Sequence, residues 1–201
     1  MNKKILYIDC ETTGTDPLIH DIIQISLIIE INNVIKEKHN IFMQPYRYDN
    51  ISHTAMEIQN RTVEQIRAYP TPDDGYKKII SVFNRYIEPY DKKDKFDYVG
   101  YNVHFDINFL FQFFKRNNNP YLFSYIGNKI DVYGLLQFLV ATNKINDMNH
   151  LPNLRLQTVC DAFGVHIEAH DSMSDIEATR ELFKKIDKKI TMNGDSYNDW
   201  W

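Results

Sequence analysis

Cysteine is nearly absent from this sequence: Cys10 and Cys160 are the only two among 201 residues. Both sit inside apolar runs and lack metal-type spacing, so they read as buried reduced thiols, which suits a cytoplasmic setting. Glycine and proline are also scarce, at seven each, while hydrophobic residues make up 43% and charged residues 25%. That balance excludes disorder and collagen-like structure and describes a globular chain. No apolar stretch reaches the roughly 20 residues that span a bilayer, so no membrane partner is expected. The opening "MNKKILYIDCETTG" has too short an apolar run, followed by acids, for a signal peptide. Nor is there an excess of positive charge. The formal net charge of −4 gives no overall footprint for nucleic acid, although a sum over the chain misses local patches and misleads if acids gather around bound cations.

The length suits one compact domain. In "KKILYIDCET" the side chains of Ile5, Tyr7, Asp9 and Glu11 share one face of a strand, and Leu6, Ile8 and Cys10 share the other. Two carboxylates therefore project side by side from a strand end. "DIIQISLIIEI" and "IKEKHNIFMQP" are two further strands joined by the turn signal "NN". Helical signals follow: Thr62 with Gln65 as a capping box, then Thr71 as an N-cap with Pro72 at the first helical position. "FDYVGYN" is a short buried strand, and "FDINFLFQFFKR" a helix packed on the sheet. Leu156, Val159, Cys160 and Phe163 follow a helical period that Gly164 closes. The last helix, "SDIEATRELFKKIDKKI", turns Ile176, Thr179, Phe183 and Ile186 inward and its lysines outward. Strands first, then strands alternating with helices, specify an α/β domain with a mixed sheet, spanning residues 1–190. Residues 191–201 lose periodicity and read as a flexible tail.

Each of the chain's prominent acids has an ordinary explanation. Asp9 could cap a turn, Glu11 could be solvated, Asp106 could cap a helix that follows a strand, and Asp175 could be a first-turn acid with His170 an ordinary loop residue. Their order argues otherwise: D-x-E on the first strand, an aspartate after a later strand, then H-x-x-x-x-D opening the terminal helix. Carboxylates brought together repel and are driven toward protonation unless cations sit among them. Hard oxygens without a cysteine or histidine set suit Mg²⁺ or Mn²⁺. Two such ions stabilise the attacking and leaving oxygens of a phosphoryl transfer, which is nuclease chemistry.

"YIDCETTG", "VGYNVHFDINFL" and "HDSMSDIEATRELF" resemble, in the same order, the three exonuclease motifs of the DEDD superfamily, DnaQ-like branch. The resemblance runs from about residue 3 to about residue 188 and includes "SHTAMEIQNRTVEQI" and "LRLQTVCDAFGV". It implies a ribonuclease H-like fold, with a mixed five-stranded sheet flanked by helices, and 3′-to-5′ exonuclease activity releasing nucleoside monophosphates. Carried over by position, Asp9, Glu11, Asp106 and Asp175 become the ligands of two Mg²⁺ or Mn²⁺ ions. His170 becomes the general base of the histidine subclass, since the tyrosine subclass would want Tyr where Asp171 stands. Thr12, Thr13 and Gly14 match the loop that approaches the terminal nucleotide, Asn102 and Phe105 the groove, and Ile58 the segment near the terminal base. Where the family often has histidine and glycine, this chain reads Gln59 and Asn60.

The substrate expected is the 3′ end of single-stranded DNA, as in proofreading for a DNA polymerase or repair, with RNA trimmed by an exoribonuclease as the alternative. A non-catalytic relative that tethers a polymerase or other replication protein is a third reading, disfavoured because every carboxylate and His170 are retained. Lys92, Lys93 and Lys95, and Lys184, Lys185, Lys188 and Lys189, form two basic clusters, which are usually solvated faces. Trp200 and Trp201 either fold back or dock a partner.

Overall fold

The computed structural model describes residues 3–144, 150–168 and 171–193. The elements in chain order are β1 (Lys4–Thr12), β2 (Ile22–Ile31), β3 (Val34–Phe42), α1 (His53–Ile58), α2 (Val63–Arg67), α3 (Pro72–Asn84), β4 (Phe96–Gly100), α4 (Val103–Arg116), β5 (Ile126–Asp131), α5 (Val132–Ala141), α6 (Leu156–Phe163) and α7 (Ser172–Asn193). They build a mixed five-stranded sheet of order β3-β2-β1-β4-β5, in which β1, β2 and β3 are antiparallel neighbours and β4 and β5 run parallel to β1. This is the ribonuclease H-like arrangement expected. Asn32 and Asn33 make the β2–β3 turn with φ of 50° and 66°, and Ile31 faces Val34 directly. A two-residue loop with both centres left-handed is what a tight hairpin needs, and asparagine tolerates it.

Alternation along β1 divides the core. Leu6, Ile8 and Cys10 pack with Ile25 and Leu27 against α3 and α4, and Ile5 and Tyr7 pack with Ile28 against α5, α6 and α7. Asp9 and Glu11 continue the second row, so they project on the α7 side at the carboxyl end of β1. Thr62 and Gln65 form the capping box of α2, Thr71 caps α3 with Pro72 following, and Gly164 closes α6 at φ 60°. Both cysteines are buried and free. Among the described residues no helix is long and apolar enough to cross a membrane.

Four details of the last helix differ from the sequence reading. Leu182 is fully buried, whereas Phe183 is only partly covered. Lys184 is not a solvated lysine: with Arg180 it neutralises Glu30, which is wholly buried on β2. Lys185 donates to the carbonyls of Phe163 and Gly164, tying α7 to the end of α6. The helix also runs to Asn193, three residues into the segment read as tail; the rest of that segment, with Trp200 and Trp201, lies outside the described residues.

Candidate active site

β1 outruns β4. Its pairing with β4 covers Ile5 to Tyr7, but its pairing with β2 continues to Thr12. The β4-side edge of β1 beyond Tyr7 is therefore open, and a buried amide there needs a partner. Asp106 supplies it: its Oδ1 accepts the Cys10 N–H at 2.9 Å. Asp106 lies in the first turn of α4, is buried, and so reaches the end of β1 from the following helix rather than capping its own. The N-cap is Asn102, left-handed at φ 62°, whose N–H donates to Asp131 Oδ1 at 2.8 Å.

On the other face, the antiparallel register sets Asp9 opposite Ser26 and Glu11 opposite Gln24, and continues to Asn40 and Phe42 on β3. Ser26 Oγ lies 2.6 Å from Ser172 Oγ, which pins the first residue of α7 beside Asp9. Asp171 caps that helix, accepting the Ser174 N–H at 2.8 Å, and Asp175 falls in its first turn. Two helix N-termini thus bring an aspartate each to the end of β1, with dipoles that favour negative charge.

The carboxylates feel one another. Burial, then the charges of Asp106, Glu11, Asp175 and Asp171, push Asp9 well above the ordinary carboxylate range. Asp175 is pushed up to about 7 by burial, then by Glu11 and Asp171. Burial also raises Glu11, against the opposing field of Arg61, and Asp171 adds to the rise. Asp106 is raised by burial despite the bonds from Cys10 and Tyr98 that oppose it. Among the described residues no three acidic, histidine or cysteine side chains already form a group that could hold a metal ion. One reason is visible: Asp106 turns an oxygen onto Cys10. The donor chemistry nevertheless fits hard divalent cations, because buried acids that raise each other's pKa are ionised together only when cations offset the repulsion.

The remaining residues singled out in the sequence surround this end of the sheet. Thr12 and Thr13 are buried and their hydroxyls face inward: Thr12 Oγ1 donates to the Gly14 carbonyl at 2.6 Å, and Thr13 Oγ1 accepts the Asp21 N–H at 2.9 Å. Gly14 carries the ring of His20, which would lie 2.3 Å from an added Cβ. Ile58 is 55% exposed. Asn102 is exposed, and Phe105 is half-buried with its ring 4.8 Å from that of Phe109. His170 lies outside the described residues.

The sequence reading missed Gln24, Ser26 and Arg61. The signal available was the pair of polar residues interrupting the apolar run of β2. Arg61 donates to Gln24 Oε1, and Gln59 Nε2 donates to the Thr12 carbonyl at 2.8 Å, fastening α1 to the "ETTG" loop. Asn60 takes φ 51°, doing the conformational work of a glycine.

The profile of the exonuclease family RNase_T matches residues 6–183. Among curated relatives, DNA polymerase III PolC-type of Halalkalibacterium halodurans is 24% identical over 99% of this chain and 12% of its own length. The 3′-5′ exonuclease DinG of Staphylococcus aureus is 27% identical over 90% of this chain and 18% of its own. The chain thus spans under a fifth of the length of either relative. Among solved structures, E. coli exonuclease I in complex with a dT13 oligonucleotide superimposes with a TM-score of 0.79 at 22% identity, over 94% of this chain and 42% of that one. The zinc-bound form of the same enzyme with single-stranded DNA gives 0.75 at 25% identity, over 96% and 42%. With the fold, the acids at the end of β1 and a family match across most of its length, the chain belongs to the RNase_T exonuclease family of the DEDD superfamily.

Proposed function

We propose that this chain is a metal-dependent 3′-to-5′ exonuclease that removes nucleoside monophosphates from single-stranded DNA ends. The observation that carries the reading is the gathering of Asp9 and Glu11 on β1, Asp106 in the first turn of α4 and Asp175 in the first turn of α7 at the end of β1, where the charges of Asp106, Glu11 and Asp175 act on Asp9 and that of Glu11 acts on Asp175. Two Mg²⁺ or Mn²⁺ ions held by these four residues would supply charge stabilisation to the attacking and leaving oxygens at phosphorus. His170, five residues before Asp175 in the chain, takes the proton from the attacking water. The water oxygen bonds to phosphorus and the bond from phosphorus to the upstream 3′ oxygen breaks. A 5′-monophosphate leaves, and the 3′ oxygen left on the shortened strand takes up a proton from solvent to become its 3′-hydroxyl. The turn after Glu11, fastened by Thr13 to Asp21 and by Gln59 to Thr12, lies against the terminal hydroxyl and closes the groove beyond one nucleotide. Ile58, Asn102 and Phe105 line its approach.

DNA is favoured over RNA by the company the chain keeps: exonuclease I holds a dT13 oligonucleotide, and PolC is a DNA polymerase. A DNA polymerase is accordingly the proposed partner, in a cytoplasmic setting. Purified protein with Mg²⁺ and 5′-labelled DNA and RNA of one sequence, single-stranded and duplex, tests the substrate. Single-stranded DNA should be degraded fastest, and a preference for RNA would replace this reading with the exoribonuclease one.

A further inference from the structure

The turn between Thr15 and His20, which leaves β1 just past Glu11, spends its polar groups inward and its apolar ones outward. Asp21, 1% exposed, accepts the Arg47 backbone N–H at 2.9 Å, the Arg47 guanidinium at 3.2 Å and the Arg116 guanidinium. Arg116 also donates to the carbonyls of Pro17 and Leu18 at 3.3 Å and of His20 at 3.4 Å. Arg47 donates to the Leu18 carbonyl at 3.2 Å. Within the turn, Asp16 Oδ1 accepts the Leu18 N–H at 2.8 Å, and the Asp16 N–H donates to His20 Nδ1 at 3.0 Å.

A turn fastened this thoroughly is preformed, yet it displays Leu18 at 66% and Ile19 at 44% exposure. Beside them Tyr46, 39% exposed, lies beneath the Arg116 guanidinium, 5.6 Å from its ring, and its hydroxyl accepts from Asn117 at 2.6 Å. Apolar and aromatic surface edged by guanidinium groups is the chemistry that holds single-stranded nucleic acid without regard to sequence.

We propose that Leu18, Ile19 and Tyr46, flanked by Arg47 and Arg116, form a platform for unpaired bases of the strand whose 3′ end enters the carboxylate site. Two observations commit the surface to that occupant. The turn is continuous with the strand that carries Asp9 and Glu11. Its clasp, Arg116, sits ten positions along α4 from Asp106, about 15 Å at 1.5 Å per residue. That distance is about four stacked nucleotides at 3.4 Å each, so the platform meets bases a few positions upstream of the scissile bond. It places an upstream subsite where the exonuclease reading places none, and it rests on that reading for the strand's direction.

Binding without turnover separates the two claims. Fluorescence anisotropy in EDTA, with a 5′-labelled deoxythymidine dinucleotide and dodecanucleotide, is measured for the wild type, for Leu18→Ser with Ile19→Ser, and for Tyr46→Ser. The wild type should bind the longer strand more tightly, and each variant should lose about tenfold of that gain, within the range stacking contributes per base. The dinucleotide, too short to reach, should bind all three proteins alike. A wild type that gains nothing with length, or variants that keep the gain while melting normally, would overturn the platform. Cleavage of the same strands in Mg²⁺ reads the exonuclease proposal independently.

Discussion

Asp9→Ala and Asp106→Ala remove the same kind of group and differ in what they do to the fold. Both should abolish cleavage, since each takes one oxygen donor from the carboxylate set. Asp9 carries repulsion in the metal-free protein, so its loss should leave the melting temperature unchanged or raised. Asp106 also satisfies the buried Cys10 amide, and leaving that donor unpaired costs about 1–3 kcal/mol. Asp106→Asn keeps an acceptor and should recover most of that stability with no activity; equal unfolding midpoints in urea for the Ala and Asn variants would contradict the assignment. Asp175 gives a pH signature. Its folded pKa is raised to about 7 from an ordinary 3.8, so its contribution to stability is fully present below the lower value and lost as pH rises through the upper one. The metal-free protein should therefore lose stability across that window by more than Asp175→Asn does, and saturating Mn²⁺ should close the gap. Parallel curves for the two proteins in EDTA would mean Asp175 is not held as described.

At the scale of elements, the short turns govern the site. Gly14→Ala would set a Cβ 2.3 Å from the His20 ring, and that ring is held by the Asp16 N–H, so the turn after Glu11 must shift. A loss of about 1–3 kcal/mol, as for other overpacking, and a fall in kcat are expected, with His20→Ala restoring part of both; a double variant no better than Gly14→Ala would place the strain elsewhere. The sequence made β1 legible because a strict alternation assigns Asp9 and Glu11 a face whatever packs there. It made α2, α3 and α6 legible through local capping chemistry. β5 was not located because it is an edge strand, "IGNKID", with three consecutive exposed residues and no apolar alternation. α1, at six residues, is too short to show a period. The bonds that shape the site are remote in sequence: Ser26 meets Ser172 across 146 residues, and Cys10 meets Asp106 across 96. No local pattern announces such pairs. Lys184 was read as solvated for the same reason, since its partner Glu30 lies on another element.

For the whole molecule, the sheet is a frame that carries β1 to the centre and lets α4 and α7 deliver one aspartate each to its end, so activity should depend on cations and on His170 together. The His170→Ala variant should bind DNA and Mn²⁺ as the wild type does and lose roughly 10²–10⁴-fold in turnover. The wild-type rate should climb as pH rises through ~6.5, where an unperturbed imidazole gives up its proton. Direction and metal dependence are read together by one gel: a 5′-labelled single strand of DNA, with Mg²⁺ or with EDTA, resolved over time beside a circular single strand and the same strand ending in a 3′-phosphate. A ladder shortening one nucleotide at a time from the 3′ end, silent in EDTA, blocked by the 3′-phosphate and absent on the circle, is the predicted result. Cleavage of the circle, or an undiminished ladder in EDTA, would contradict it.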